Sequence, residues 1–143
     1  MSCDVVLAVE IEADPGTVYE AITTQKGEAG FWTSDNQTEQ MVGSEASFGF
    51  PETPARARMR VDELEPNQRV KWTSLGDFPG WEGTTLTWEI EPKDGRAHLF
   101  FRHAGWSDDY SDHERGSITW VWAMVLGRLK AYAETGEPQP FFG

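Results

Sequence analysis

The chain has 143 residues, 38% of them hydrophobic, which suits one soluble domain spanning residues 1–143. Its formal net charge of −12 argues against nucleic acids and anionic membranes as partners, because few basic groups could neutralise their phosphates. Cys3 is the only cysteine, so an intrachain disulfide is impossible and a reducing, cytoplasmic location is favoured. Because the sequence shows neither a signal-peptide pattern nor a run of about 18 apolar residues, we expect no membrane partner.

The N-terminal part of the chain predicts one strand followed by two short helices. Asp14 is the predicted N-cap of the first helix, and Pro15 suits its first turn. Residues 26–30 contain two glycines and are expected to interrupt the helix, with a second short helical turn at Phe31 and Trp32. The strand is predicted from four hydrophobic residues that recur with a period of two: Val5, Leu7, Val9 and Ile11.

Residues 37–103 predict about six strands separated by turns. One strand is expected to end at Met41 and Val42, and residues 76–83 are expected to form a loop. The Lys-Asp-Gly sequence at residues 93–95 is typical of a tight hairpin turn. Three arginines share one face of a predicted strand: Arg56, Arg58 and Arg60. They could form an anion-binding site, but a solvated face on which they pair with acidic residues is favoured.

The C-terminal part predicts a helix of three to five turns. Trp120 and Met124 lie on a face next to its main apolar stripe, so the apolar arc is wide. Gly136 is the predicted end of the helix, and Pro138 prevents its continuation. The stripe consists of six residues at spacings of three and four: Ile118, Val121, Trp122, Val125, Leu129 and Tyr132.

An acidic segment, residues 108–114, precedes this helix. It matches no metal-ligand motif, and we predict that it provides favourable charge at the helix start, with Ser111 or Asp112 as N-cap. Neither a nucleotide-binding glycine loop nor a hydrolase or zinc-protease motif is found. We therefore predict no metal and no cofactor.

The order of elements is strand, two helices, about six strands and a long helix, which predicts an α+β fold. We expect a curved antiparallel sheet of about seven strands wrapped around the C-terminal helix. The segments that carry a family resemblance occur in one order along nearly the whole chain: residues 13–15, 18–23, 30–33, 42–43, 81–84, 103–106 and 120–136.

In these segments the chain resembles the AHSA1-like (activator of Hsp90 ATPase homologue-like) branch of the START/Bet v 1 helix-grip superfamily, also called SRPBCC. The resemblance implies a seven-stranded sheet that grips the C-terminal helix, with a cavity between them. The superfamily includes lipid and hormone binders as well as polyketide cyclases and aromatases. The eukaryotic co-chaperone of this branch has an additional N-terminal domain, for which 143 residues are expected to leave no room.

Aromatic residues on several strands and on the helix would converge in such a fold. They either line a ligand cavity or simply pack the core, and the sequence leaves both open. His103 could hydrogen-bond a ligand carbonyl or act as an acid or base. The alternative interpretation is a core histidine whose hydrogen bonds are all made within the protein. The predicted ligand-binding residues are Trp32, Phe48, Trp72, Trp88, Phe101, His103, Trp120 and Met124.

Three functional hypotheses follow. The first is the binding of a small, largely apolar molecule between sheet and helix, without catalysis. The second is a cyclase or aromatase that uses the same cavity, with His103 or Tyr19 as the acid or base. The third is a protein-interaction module that uses the open sheet face or the surface of a homodimer. The first is favoured because only His103 can be placed in the cavity as a polar group.

Overall fold

The computed structural model describes residues 4–143, and Cys3 lies outside them. Seven strands and three helices follow one another in the predicted α+β order. Their bounds are β1 (Val5–Ile11), α1 (Pro15–Thr23), α2 (Gln25–Phe31), β2 (Asn36–Gln37), β3 (Glu45–Phe50), β4 (Thr53–Glu65), β5 (Arg69–Gly76), β6 (Thr85–Lys93), β7 (Arg96–Ala104) and α3 (Asp112–Thr135).

The strands form one antiparallel sheet in the order β1-β7-β6-β5-β4-β3-β2. The first strand pairs with the last, from Val5 opposite His103 to Ile11 opposite Ala97. Register shifts between β3 and β4 and between β4 and β5 mark bulges, which bend a sheet and increase its twist. The curved sheet predicted from the sequence is therefore confirmed.

The turn between β6 and β7 is the predicted hairpin. Asp94 and Gly95 have φ angles of 54° and 78°, as a two-residue turn of type I′ requires. Asp tolerates this left-handed region better than most residues, and Gly adopts it freely. The turn fixes the register of β6 against β7 from Lys93 opposite Arg96 to Thr85 opposite Ala104.

Helix α3 packs its apolar stripe across the sheet face that carries the core. It has 24 residues, about seven turns, and is longer than predicted because its first turn is polar and shows no apolar period. Ser111 caps it through reciprocal hydrogen bonds with Glu114, and Gly136 ends it with φ 78°, as predicted. Among the helices of residues 4–143, none combines the length and the hydrophobicity needed to cross a membrane.

Helix α2 includes the glycine-containing segment that was expected to interrupt the helical region. A Cβ atom on Gly27 would lie 2.3 Å from the carbonyl oxygen of Ala21, and one on Gly30 would lie 2.5 Å from the ring of Tyr132. These glycines let α2 approach α1 and α3 closely, and they do not break the helix. Asp14 is the N-cap of α1, as predicted, and its carboxylate accepts a hydrogen bond from the backbone N–H of Thr17.

The expected strand end at Met41 and Val42 is wrong. Both side chains are exposed, and Ser44 donates its backbone N–H to the carbonyl of Met41, which closes a turn there. Strand β2 is only two residues long and ends at Gln37. The apolar pair therefore lies in a surface turn, which a local strand propensity cannot reveal.

The arginines of β4 form exposed ion pairs, as predicted. Such pairs contribute at most about 1 kcal/mol each, and they neutralise the guanidinium groups on this solvated face. The pairs are Arg56 with Asp35, Arg58 with Glu45 and Asp77, and Arg60 with Asp62.

Candidate functional site

A cavity of about 150 Å³ lies between the N-terminal half of α3 and the loops at one end of the sheet. Two of its lining residues are polar: Glu52 lies in the turn from β3 to β4, and Thr53 begins β4. The remaining eight are apolar or aromatic: Trp32, Phe50, Phe78, Trp81, Ile118, Val121, Trp122 and Phe142.

Each wall of the cavity comes from a different part of the chain. Trp32 follows α2, and Phe50 ends β3. Phe78 lies in the loop between β5 and β6, where its ring centroid is 5.4 Å from that of Phe50 and 4.8 Å from that of Trp81. Trp122 of α3 lies 5.0 Å from Trp32 by the same measure. The cavity wall is thus a continuous set of aromatic contacts.

The C-terminal tail completes this wall. Backbone N–H groups of Phe141 and Phe142 donate to the carbonyls of Phe31 and Trp32 at 3.0 and 2.8 Å, and Ser34 donates to the carbonyl of Phe142. The ring of Phe142 then packs 4.9 Å from Phe50. The tail shows no periodic pattern and was not predicted, although two adjacent phenylalanines after the end of a helix were a signal that it folds back.

Four predicted binding residues are packed against one another in the core and do not line the cavity. They are fully buried and form a chain of ring contacts 4.6 to 5.5 Å apart. Trp32 joins this chain through Phe48 at 4.4 Å, and it is the one predicted binding residue that also lines the cavity. The chain consists of Phe48, Trp72, Trp88 and Phe101.

His103 is fully buried, and both of its ring nitrogens are hydrogen-bonded. Its Nδ1 accepts from Nε1 of Trp122 at 3.2 Å, and its Nε2 lies 2.9 Å from Oγ1 of Thr84. That hydroxyl donates to the carbonyl of Trp81, so it accepts from Nε2–H. Burial lowers the pKa of His103 to about 3. The imidazole is therefore neutral near pH 7.

This depressed pKa predicts a loss of stability in mild acid. An unfolded histidine binds a proton below about pH 6.5, whereas folded His103 does so only near pH 3. Stability from this group is complete above pH 6.5 and falls by about 2 kcal/mol on going to pH 5. Urea unfolding of wild type and His103→Gln at both pH values should show a smaller decrease for the variant. Equal decreases would contradict the assignment, as would an imidazolium NMR signal from His103 at pH 5.

Trp120 and Met124 were predicted around the cavity, and this placement is wrong. Their side chains are 68% and 41% exposed. Trp120 is about 200° from Trp122 around the helix axis, so the two indoles point in opposite directions. Tyr19, the other predicted acid or base, does not line the cavity, and burial raises its pKa.

Within residues 4–143, no group of three or more His, Cys, Asp or Glu side chains is arranged to hold a metal ion. The acidic segment before α3 provides the helix cap instead. Glu114 accepts from the backbone N–H of Ser111, and its own N–H donates to the Ser111 hydroxyl.

The family model described as "Activator of Hsp90 ATPase homolog 1-like protein" matches residues 12–134. The chain belongs to this AHSA1-like family. The solution structure of the Aha1 dimer from Colwellia psychrerythraea is 29% identical to the AHSA1-like chain, with a TM-score of 0.83, and the match covers 94% of this chain and 98% of that one. No curated protein matches.

Two further solved structures share the fold. A protein from Staphylococcus saprophyticus is 19% identical, with a TM-score of 0.79 and 96% of each chain covered. DynU16, a putative protein in the dynemicin biosynthetic locus, is 22% identical with a TM-score of 0.80. That match covers 99% of this AHSA1-like chain and 51% of DynU16.

Proposed function

We propose that this AHSA1-like protein binds a small, largely apolar molecule and buries a ring-sized group of it in the cavity beside α3. The observation that carries this proposal is an apolar cavity of about 150 Å³ with eight apolar residues in its wall. An apolar cavity of about this volume can hold one benzene ring, whereas ligand sites commonly reach about 300 to 1,000 Å³. The ligand is therefore either monocyclic or has only one end buried.

The polar end of such a ligand would lie near the turn from β3 to β4. Thr53 uses its hydroxyl to accept the backbone N–H of Ala55, and Glu52 is exposed at the same turn. A carboxylate there repels an anionic head group, and the net charge of −12 adds to this repulsion. Neutral or cationic head groups are therefore favoured over carboxylates.

The cyclase or aromatase alternative has less support. Of the described residues that line the cavity, Glu52 alone is ionisable, and it lies at the exposed edge. His103, which was the leading acid or base candidate, has both nitrogens engaged and does not line the cavity. General acid–base catalysis needs a group within hydrogen-bond reach of the substrate.

Binding can be tested with fluorobenzene, which has the size of the cavity. We expect one saturable site per chain by ¹⁹F NMR and a change in tryptophan emission, because Trp32, Trp81 and Trp122 line the cavity. At ten times the dissociation constant, the ligand should raise the free energy of unfolding by about 1.4 kcal/mol.

A pair of matched variants locates the site. Val121→Phe places a larger side chain in the cavity wall and should abolish saturable binding. Val6→Phe makes the same change on the opposite side of the sheet, where Val6 is 44% exposed, and should leave binding intact. The proposal fails if fluorobenzene does not bind, or if Val121→Phe binds it as well as wild type does.

We also propose that the chain forms a homodimer. The similar protein from Colwellia psychrerythraea was solved in solution as a dimer, and the similarity extends over 94% of this chain. A homodimer is one form of the third hypothesis, in which the chain binds protein through the surface of a homodimer.

A further inference from the structure

The most exposed residues of α3 between positions 116 and 131 carry no charge, although 25% of the chain is charged, and Lys130 at the edge of this side is paired with Glu134. Trp120 at its centre is 68% exposed and is the most exposed large hydrophobic residue of the described chain. A continuous apolar strip of this kind on a soluble helix marks an interaction surface. We call these six residues the outer stripe: Gly116, Trp120, Ala123, Met124, Gly127 and Ala131.

Two glycines of the outer stripe have no explanation within their own chain. A Cβ atom on Gly116 or Gly127 would meet nothing within 4 Å. Each glycine inside a helix is about 1 kcal/mol less favourable than alanine. Gly27 and Gly30 of α2 differ, because an added Cβ there would collide with Ala21 or Tyr132. The close approach of a second molecule would explain glycine at positions 116 and 127 in the same way.

We infer that the outer stripe is the contact surface of the homodimer, with the α3 helices of two copies packed antiparallel about a two-fold axis between residues 123 and 124. This inference rests on the proposed homodimer and adds its surface. In this register Trp120 lies over the partner's Gly127, and Ala123 faces the partner's Met124. Gly116 faces the partner's Ala131. Every contact thus joins a large residue to a small one or two small residues, and the two-fold operation repeats each pair.

The helix dipole favours the same orientation, because an antiparallel pair opposes the two dipoles favourably. Charges near the ends of α3 are already paired within the helix, Asp112 with Arg115 and Lys130 with Glu134. A parallel pair would instead place the Trp120 side chains of the two copies against each other, and the two Gly127 residues would face each other.

The size of the stripe predicts a reversible dimer. Sixteen residues of helix extend about 24 Å, and a helix is about 10 Å wide, so one copy contributes a few hundred Å². Stable interfaces bury about 800 Å² from each partner. The dimer should therefore dissociate on dilution and be visible as a concentration-dependent equilibrium.

Sedimentation equilibrium of the whole chain from about 1 µM to about 500 µM tests both the dimer and its surface, because a small interface should associate within that range. Trp120→Ala removes the large residue, and Gly127→Trp sets two indoles against each other. Each variant alone should weaken dimerisation at least about tenfold. Met41→Ala, 58% exposed and far from α3 in sequence, serves as the control and should not change it.

The two weakened variants should rescue each other when mixed. In the mixed dimer, the alanine that replaces Trp120 in one copy lies against the indole that replaces Gly127 in the other copy. The unchanged Trp120 of the second copy then lies on the unchanged Gly127 of the first. An equimolar mixture should therefore dimerise within about threefold of wild type, a result that only the antiparallel pairing of these two positions predicts.

The outcomes separate the two proposals. A wild-type chain that stays monomeric at all concentrations overturns the homodimer and the inference with it. A wild-type dimer that neither variant weakens leaves the homodimer standing and overturns its assignment to the outer stripe. Weakening without rescue in the mixture overturns the antiparallel register. Thermal unfolding checks that each variant is folded, which is expected because both positions are exposed.

Discussion

Trp122→Ala should lower the free energy of unfolding by about 3–5 kcal/mol, because it removes a large buried side chain and leaves a cavity. Trp122 is 1% exposed, and its ring lies 4.7 Å from Phe101 and 5.0 Å from Trp32 between centroids. The substitution also removes the Nε1–H group that donates to His103. A buried acceptor that loses its donor adds its own desolvation penalty.

The matched control is Trp120→Ala, two residues earlier on the same helix. Its side chain is 68% exposed, so we expect a change within about 0.5 kcal/mol. Both variants should be measured by urea unfolding at low protein concentration, where dimerisation makes no contribution. A large loss from Trp120→Ala with little loss from Trp122→Ala would show that the inward and outward faces of α3 are exchanged, and similar losses would contradict the assignment of Trp122 alone to the core.

Glu28→Leu should raise the free energy of unfolding at pH 7 by about 3 kcal/mol. Glu28 lies in α2 with no exposed surface, and neither of its carboxylate oxygens has a hydrogen-bond partner among the described residues. An unsatisfied buried polar group is unfavourable by about 1–3 kcal/mol, and a buried leucine adds a favourable transfer term of similar size. Glu20→Leu on the exposed face of α1 is the control and should change little.

The increase in the free energy of unfolding on replacing Glu28 should depend on pH. Burial raises the pKa of Glu28 well above its usual range, so the folded protein keeps a proton that the unfolded chain has released. This group's contribution to stability is therefore lost as pH rises above about 4.3. Glu28→Gln, which keeps the shape and cannot ionise, should match wild type near pH 4 and exceed it at pH 7. A variant that is less stable than wild type at both pH values would show that the carboxyl group supports the fold.

Several parts of the fold follow from local sequence. The period of two in β1, the Lys-Asp-Gly turn between β6 and β7 and the period of three and four in α3 act over a few residues, and all three were predicted. The ends of α3 also follow from short-range rules. Ser111 with Glu114 forms a capping box, and Gly136 takes the left-handed conformation that ends a helix.

The candidate site depends on contacts between distant segments, and sequence predicted little of it. Trp32 was the one lining residue among the eight proposed, because the others were chosen from regular strands and from the wide apolar arc of α3. Phe78 and Trp81 come from a loop and Phe142 from the tail. No periodicity applies to such segments, so their positions depend on hydrogen bonds made elsewhere, such as that of Phe142 to Trp32.

The sequence by itself determined the order of the elements, most of their positions and a wide apolar arc on α3, since backbone geometry and side-chain period are local properties. The tertiary structure decided which part of that arc meets the sheet, with Trp122 inside and Trp120 in solvent. It also decided that His103 is a neutral core residue beside Thr84 and Trp122. The physical reason is that burial and the free energy of ionisation depend on every neighbouring segment, and those neighbours exist only after the chain has folded.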